Sequence, residues 1–232
     1  RSSDPLGRVG ARMAYDAARG QTVLLGGQRH PSSDDAAYTF GWDGRHWSLL
    51  SIPGPGAYSF HAMIYDTRRD VTLLYGGTKT WQWNGAAWSL LADTGPSSRG
   101  YHAMAYDRAR DRVVLFGRDA LGDDGELYFN GETWEWDGSV WTRESTRGPS
   151  NRAYHAMAYD SARAVTILFG GRTKRTRPLY NGETWEWDGR RWTLMSETGP
   201  EPRASHAMIY DEDRRVAVLY GGLGADGAHL SD

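Results

Sequence analysis

Asn130-Gly-Glu-Thr-Trp-Glu-Trp-Asp-Gly138 occurs a second time, without a change, at residues 181–189. In each copy another tryptophan follows three residues later, at Trp141 and Trp192. Looser copies of the segment lie at 40–47 and 81–88, and the four segments together hold all eleven tryptophans of the 232-residue chain. Such internal repetition makes the architecture accessible from sequence alone.

A second motif, His-Ala-Met-Ala/Ile-Tyr-Asp, sets the period of the repeat. Alanine replaces the histidine in the first copy, at Ala11, and the other four copies begin at His61, His102, His155 and His206. The methionines of the five copies are spaced 50, 41, 53 and 51 residues apart. This period is typical of β-propeller blades and too long for helical repeats of about 33–34 residues.

Each period contains the signals of four short strands. The His-Ala-Met segment is the first, and a turn with Asp and Arg three residues apart follows it. The second is a β-branched and aliphatic run that ends in glycine, as expected for a strand covered on both faces. The Trp-Glu-Trp segment is the third, and we expect Asp-Gly to form the two-residue hairpin turn before a fourth strand.

These signals predict an all-β fold, a β-propeller of four-stranded antiparallel blades with four complete blades and the inner strands of a fifth. We expect one domain over 1–232, with blades at approximately 8–57, 58–98, 99–151, 152–202 and, incomplete, 203–232. A longer parent chain with six or seven blades, or closure by another polypeptide or a symmetric neighbour, would complete the fifth blade.

The repeat resembles the Kelch-type propellers over essentially the whole chain. The resemblance rests on the glycine doublet after a hydrophobic strand, and on an aromatic residue and a tryptophan separated by six residues. Those pairs are Phe40/Trp47, Trp81/Trp88, Trp134/Trp141 and Trp185/Trp192. The Trp-Glu-Trp-Asp-Gly form is similar to bacterial repeats of this kind. The resemblance implies a fold that commonly binds partners on the face formed by the blade-to-blade links.

Composition narrows the classes of function. The net charge of −2 gives no field that would attract nucleic acid or an anionic membrane, and no apolar run approaches the roughly 18 residues of a membrane span. The chain has no cysteine, which excludes disulfides, thiolate nucleophiles and cysteine metal sites. The sequence does not determine the cellular compartment, and it slightly favours an extracellular or cell-surface location.

Two repeated sets invite a chemical role. His61, His102, His155 and His206 are weak candidates for a metal ring, but a residue needed once per blade favours packing between blades. The tryptophans could stack on sugars or bases, and their repeat positions likewise favour packing. We therefore predict no cofactor and no catalytic residue.

The segments that do not repeat are the loops between the second and third strands, and variation on a repeated scaffold is where recognition is usually placed. We predict that partners bind there through residues of blades one, three and four: His30, Asp34, Asp35, Arg118, Asp123, Asp124, Glu126, Tyr128, Arg172, Lys174, Arg175, Arg177 and Tyr180. A solvated surface of mutually paired charges is the alternative interpretation of these loops.

The sequence favours a binding or interaction module for a protein or glycan over an enzyme. Two alternatives stay open: a carbohydrate-active or metal-dependent enzyme with its site at the channel mouth, and a structural unit of an extracellular assembly. Self-association, or a missing segment that completes the fifth blade, is a further expectation.

Overall fold

The computed structural model describes residues 5, 7–28, 38–51, 54–56, 60–121, 127–173 and 180–232, without the side chains of 28, 118–121, 127, 128 and 130. The chain divides into two compact units, residues 1–100 and 101–232. The described residues form strands and turns only, and contain no helix that could span a membrane.

The first unit contains two four-stranded antiparallel sheets, blades one and two. In blade one the strand order is β1-β2-β3-β4, and in blade two it is β5-β6-β7-β8. Their bounds are β1 Val9–Asp16, β2 Gln21–Gln28, β3 Thr39–Trp42, β4 Trp47–Ser51, β5 Ala62–Asp66, β6 Val71–Gly76, β7 Lys79–Trp83 and β8 Trp88–Ala92.

The second unit contains two more complete sheets, blades three and four, and the first two long strands of a fifth. The bounds of the complete blades are β9 Ala103–Asp107, β10 Arg112–Leu121, β11 Leu127–Trp136, β12 Trp141–Ser145, β13 Ala156–Asp160, β14 Val165–Phe169, β15 Thr184–Trp187 and β16 Trp192–Ser196. The fifth has β17 Arg203–Ala204, β18 Ala207–Asp211, β19 Val216–Tyr220 and β20 Leu223–Gly224, with β18 paired to β19 and β17 to β20. Four complete blades and the inner pair of a fifth are thus confirmed.

Adjacent sheets within each unit pack face to face, and the core lies between them. In the second unit Val114 and Phe116 of blade three contact Met157, Leu168 and Trp192 of blade four. Blades one and two repeat the arrangement, with Val23 and Leu25 against Met63, Leu74 and Trp83. In the four complete blades the second strand is buried, which explains its unbroken apolar sequence.

The hairpin between the third and fourth strands differs from the sequence-based expectation. Strand pairing ends at Trp136 and Trp141, and four residues connect them. Asp137 Oδ1 accepts the backbone N–H groups of Ser139 and Val140, each at 2.8 Å. The centre of the turn is therefore Gly138–Ser139, and the prediction of Asp137–Gly138 was wrong by one residue. The reason is that Asp137 acts as the acceptor that precedes the turn.

The glycine doublet has a steric cause. A Cβ on Gly170 would lie 2.6 Å from the carbonyl oxygen of Arg203, in the link to the fifth blade. A Cβ on Gly171 would lie 2.9 Å from the carbonyl oxygen of Ala153, in the link that precedes its own blade. Both glycines also have positive φ, 68° and 100°. In blade four the doublet therefore allows two link segments to pass close to the end of the second strand.

Candidate functional site

Antiparallel pairing gives each blade two distinct ends. The turns between strands one and two, and between strands three and four, lie at one end, which we call the turn face. The links between blades and the segments between strands two and three lie at the other end, which we call the link face. In blade four the hydrogen bonds between Ala153 and Arg172, 2.7 and 3.0 Å long, join the link directly to the base of the variable loop.

The turn face is regular and internally paired. The predicted Asp-Arg pairs are present in all five blades, with distances of 2.9, 2.7, 2.7, 2.7 and 3.5 Å: Asp16–Arg19, Asp66–Arg69, Asp107–Arg110, Asp160–Arg163 and Asp211–Arg214. The second oxygen of each aspartate accepts backbone N–H groups of its own turn, as for Arg110 N–H on Asp107 at 3.1 Å. These charges serve the turn, as the sequence predicted.

Glu135, the central residue of Trp-Glu-Trp in blade three, joins two blades. Its carboxylate accepts both terminal nitrogens of Arg110, at 2.7 and 2.9 Å, and Nε1 of Trp187 in blade four at 2.7 Å. Burial is the largest single influence and would lower the pKa of Arg110, but the hydrogen bonds and charges of Glu135 and Asp107 together outweigh it and raise the pKa. Glu135 and Trp187 are buried and Arg110 is half-buried, so Glu135 is a structural residue.

The histidines of the first strands lie between blades. The ring of His155 packs edge-on against Phe116 of blade three, with centroids 5.4 Å apart, and His206 packs similarly against Phe169 at 5.5 Å. Burial, together with the charges of Arg152 and His206, lowers the pKa of His155 to about 3, although the Phe116 backbone carbonyl opposes the shift. Burial likewise lowers the pKa of His206 to about 4, with the charge of Arg203 adding to it.

The described residues include no group of three or more His, Asp or Glu side chains that could hold a metal ion. The rings of His155 and His206 instead serve as apolar packing groups. Both rings pack against the preceding blade, which is the structural role that their repetition in the sequence favoured.

The tryptophans also pack between blades, which confirms the structural interpretation. Trp192 Nε1 donates to Thr133 Oγ1 of the preceding blade at 2.7 Å, and Trp88 Nε1 donates to Thr39 Oγ1 at 2.8 Å. Trp136, Trp187 and Trp83 are fully buried. Their faces are used inside the protein, so none of these three is available to a ligand.

Three link arginines, Arg99, Arg152 and Arg203, are buried, a role that the sequence signal, an Arg after Gly-Pro, did not reveal. Arg152 Nη1 donates to the Gly170 carbonyl at 3.1 Å, and its Nη2 donates to Glu183 at 2.6 Å. Arg203 repeats this with the Gly221 carbonyl and with Asp232, at 3.1 and 2.7 Å. These arginines tie each link to the blade that follows it.

The predicted recognition residues have different outcomes. Arg172 and Tyr180 face each other across the base of the blade-four loop as a backbone bridge, and both are half-buried. Arg118 and Tyr128 lie in strands, and not in the loop that was predicted. The remaining members of the set lie outside the described residues: His30, Asp34, Asp35, Asp123, Asp124, Glu126, Lys174, Arg175 and Arg177.

In blade three the segment predicted to be a loop begins and ends as paired strands, which form a projecting hairpin. β10 and β11 are ten residues each, and their pairing continues from Arg118–Asn130 to Leu121–Leu127 beyond a register shift at Gly117. In blade four the corresponding pairing ends at Phe169–Thr184. The hairpin extends the link face of blade three by four residue pairs, and the aromatic residues Tyr128 and Phe129 on β11 are of a type common in strands.

One position of the repeat is defined by its backbone conformation and could not be recognised from the sequence. The residue just before each histidine position has a positive φ, between 54° and 78°, in all five blades: Gly10, Phe60, Tyr101, Tyr154 and Ser205. Successive members are joined by backbone hydrogen bonds within each unit, from Tyr154 N–H to Tyr101 at 2.9 Å and from Ser205 N–H to Tyr154 at 2.8 Å. The side chains differ from blade to blade, so no motif marks the position. We call it the inner rim.

Comparison with known proteins identifies the fold. No protein-family model and no curated protein sequence matches the chain. A solved structure titled "Structure of YjhT" is similar with a TM-score of 0.76 and 13% identity, over 97% of this chain and 80% of that one. In all, 210 chains of solved structures match. A fold by itself does not determine an activity. The chain has the β-propeller fold.

Proposed function

We propose that this chain is a binding module that recognises a protein or carbohydrate partner through its link face. The observation that carries the proposal is the contrast between the two faces. Turn-face charges are paired in the same way in every blade, whereas the link face varies in length, charge and strand extent. The repeated histidines and tryptophans are occupied in packing, which leaves the link face as the source of specificity.

The projecting hairpin of blade three and the loop of blade four are the elements that we propose to contact the partner. The paired strands of the hairpin cover 118–121 and 127–129, and in the sequence between them stand Asp123, Asp124 and Glu126, while the sequence of 172–180 carries Arg172, Lys174, Arg175 and Arg177. An acidic and a basic segment on consecutive blades offer a partner two complementary sets of charges, which favours specificity over simple affinity. Tyr128 and Tyr180 are the proposed aromatic anchors.

The repeat itself supports placing the chain among the Kelch-type propellers. Tight crossing of the links above Gly170 and Gly171 gives the doublet a role that does not depend on the loops. The aromatic pairs of that resemblance, such as Trp134 and Trp141, lie on the paired strands β11 and β12. We propose this classification on the repeat pattern together with the propeller fold.

The test is a screen on a glycan array and on a peptide array, followed by matched variants. In the link-face variant, residues 118–129 are replaced by the Thr-Lys-Thr of blade two. In the turn-face control, Arg108→Ala is combined with Glu212→Ala, which removes an exposed ion pair of 2.9 Å. We expect the first variant to lose binding and the control to retain it. Loss in the control alone, or no ligand on either array, would refute the proposal.

A second candidate function, self-assembly, is favoured by the exposed face of the fifth blade. Ile209, Val218 and Tyr220 are 63%, 39% and 64% exposed. In blade four their counterparts by register are Ala158, Ile167 and Phe169, which are only 6%, 7% and 3% exposed. An apolar face of this kind marks an interaction surface, and we propose that another β-sheet covers it.

Analytical ultracentrifugation tests self-assembly directly. We expect mass to rise with protein concentration in the micromolar range, and Val218→Lys to return the protein to a monomer. Leu194→Lys is the matched control, because Leu194 is a similarly exposed residue of blade four, at 39%. A monomer at every concentration would rule self-assembly out.

A further inference from the structure

The inner rim holds aromatic side chains in a backbone conformation that disfavours them. Left-handed φ is strained for residues with a Cβ, and blade one satisfies the same position with Gly10. The fold therefore needs no side chain here. Blades three and four nevertheless place Tyr101 and Tyr154 at this position, with φ values of 54° and 63°. The left-handed backbone recurs in every blade, and in blades three and four it is occupied by two tyrosines that lie together.

Tyr101 and Tyr154 lie against each other at the start of β9 and β13. Their ring centroids are 3.9 Å apart and the rings are inclined by 30°. Both residues are half-exposed, and the adjacent rim residue Ser205 is exposed. The rim of this unit thus places two aromatic rings beside an exposed serine, and all three residues are of uncharged types.

The rim is continuous with the link face. Tyr154 follows Ala153, whose backbone pairs with Arg172 at the base of the blade-four loop. First strands β9, β13 and β18 lie side by side, so successive rim residues are neighbours. The two tyrosines therefore lie next to the described base of the blade-four loop.

We propose that Tyr101 and Tyr154 form a stacking shelf for a neutral pyranose sugar. One side of a pyranose ring is a set of C–H groups that packs on an aromatic face, and its edge carries hydroxyl groups that match Tyr and Ser hydroxyls. A purely apolar ring would use the tyrosine rings and leave the exposed Ser205 hydroxyl beside them without a role. The inference rests on the proposed function and assigns its ligand class.

The experiment is calorimetric titration of the protein with maltotriose and with triacetylchitotriose. We expect saturable binding of at least one of them in the millimolar range or tighter. Tyr101→Asn and Tyr154→Asn should each weaken it at least tenfold, because asparagine tolerates a left-handed φ but removes the ring. Tyr154→Phe, which keeps the ring, should bind within about threefold of the unchanged protein, in keeping with the modest net value of one hydroxyl.

Ala164→Asn is the matched control, since Ala164 has a φ of 55° in the same blade but lies on the turn face. It should leave the affinity unchanged. The shelf is refuted if neither sugar binds the unchanged protein, or if the two Tyr→Asn variants bind as well as the control. Circular dichroism of every variant verifies that the fold is retained.

The shelf and the proposed function fail in different ways. If replacement of 118–129 abolishes binding of an array ligand while the Tyr→Asn variants keep it, the shelf is wrong and link-face recognition stands. If the Tyr→Asn variants lose sugar binding while replacement of 118–129 has no effect on any ligand, the shelf stands and the hairpin has no part in recognition.

Discussion

Non-glycine residues with a left-handed backbone conformation recur at two positions of the repeat. Besides the inner rim, the last residue of every Asp-Arg turn has a positive φ, between 52° and 62°: Gly20, Asp70, Asp111, Ala164 and Arg215. Glycine occupies it only in blade one. Because this turn position lies on the turn face, which has no proposed ligand, its strain has no functional counterpart.

Ala164→Gly should therefore stabilise the protein. Relief of the left-handed conformation is worth about 1–2 kcal/mol, and the added freedom of glycine in the unfolded chain removes about 0.5–1 kcal/mol of it. We expect the free energy of unfolding in urea to rise by about 0.5–1 kcal/mol. Ala162→Gly, in the same turn but outside the left-handed set, should instead leave stability unchanged or lower it. Equal effects of the two substitutions would contradict the argument.

Glu135 offers a second prediction at the residue scale. Glu135→Ala leaves Arg110 and the buried Nε1 of Trp187 without this acceptor, and we expect a loss of about 2–4 kcal/mol in the free energy of unfolding. Glu132→Ala in the same strand should lose less than about 1.5 kcal/mol, since Glu132 pairs with the half-exposed Arg143 and with one tryptophan. Denaturant titration of both variants tests this, and similar losses would show that Glu135 does not join the blades.

The two buried histidines His155 and His206 should lower the stability of the folded protein in mild acid. His155 and His206 have pKa values of about 3 and 4 in the folded protein, against 6.5 in an unfolded chain. Below pH 6.5 the unfolded chain takes up protons that the folded protein does not, so stability present above pH 6.5 is lost as the pH falls. The loss should be about 1.4 kcal/mol per pH unit for each of the two histidines.

Urea unfolding between pH 7 and pH 5 measures this slope. The window lies above the range in which aspartates with lowered pKa values, such as Asp137 and Asp160, contribute. His155→Gln should reduce the slope by the share of one histidine. A free energy of unfolding that stays constant from pH 7 to pH 5 would show that these rings are not held neutral by burial.

At the scale of the elements, the period and the four-strand unit could be predicted because every blade repeats the same chemistry. Asp-Arg turns, apolar second strands and Trp-x-Trp third strands each have one role that sequence spacing encodes. The hairpin turn was wrong by one residue because Asp137 can occupy either of two positions in such a turn. The extension of β10 and β11 was missed because its apolar residues are interrupted by the charges of 122–126.

At the scale of the whole molecule, the candidate site was only partly predictable. Variation among the loops indicated the link face, and the bridge between Ala153 and Arg172 joins that face to the links. The inner rim could not be predicted, since a left-handed φ is compatible with Gly, Phe, Tyr and Ser and leaves no motif. The inner rim becomes evident only when the φ angles of all five blades are compared.

The central claim is that this propeller binds its partner through the link face and uses the turn face only for structure. Hydrogen–deuterium exchange of the protein, with and without a ligand from the array screen, tests it most directly. We predict that the ligand slows exchange at 118–129, 153–154 and 172–180 and leaves the turns at 107–111 and 160–164 unchanged. Protection that appears in those turns while the link face exchanges as before would contradict the account.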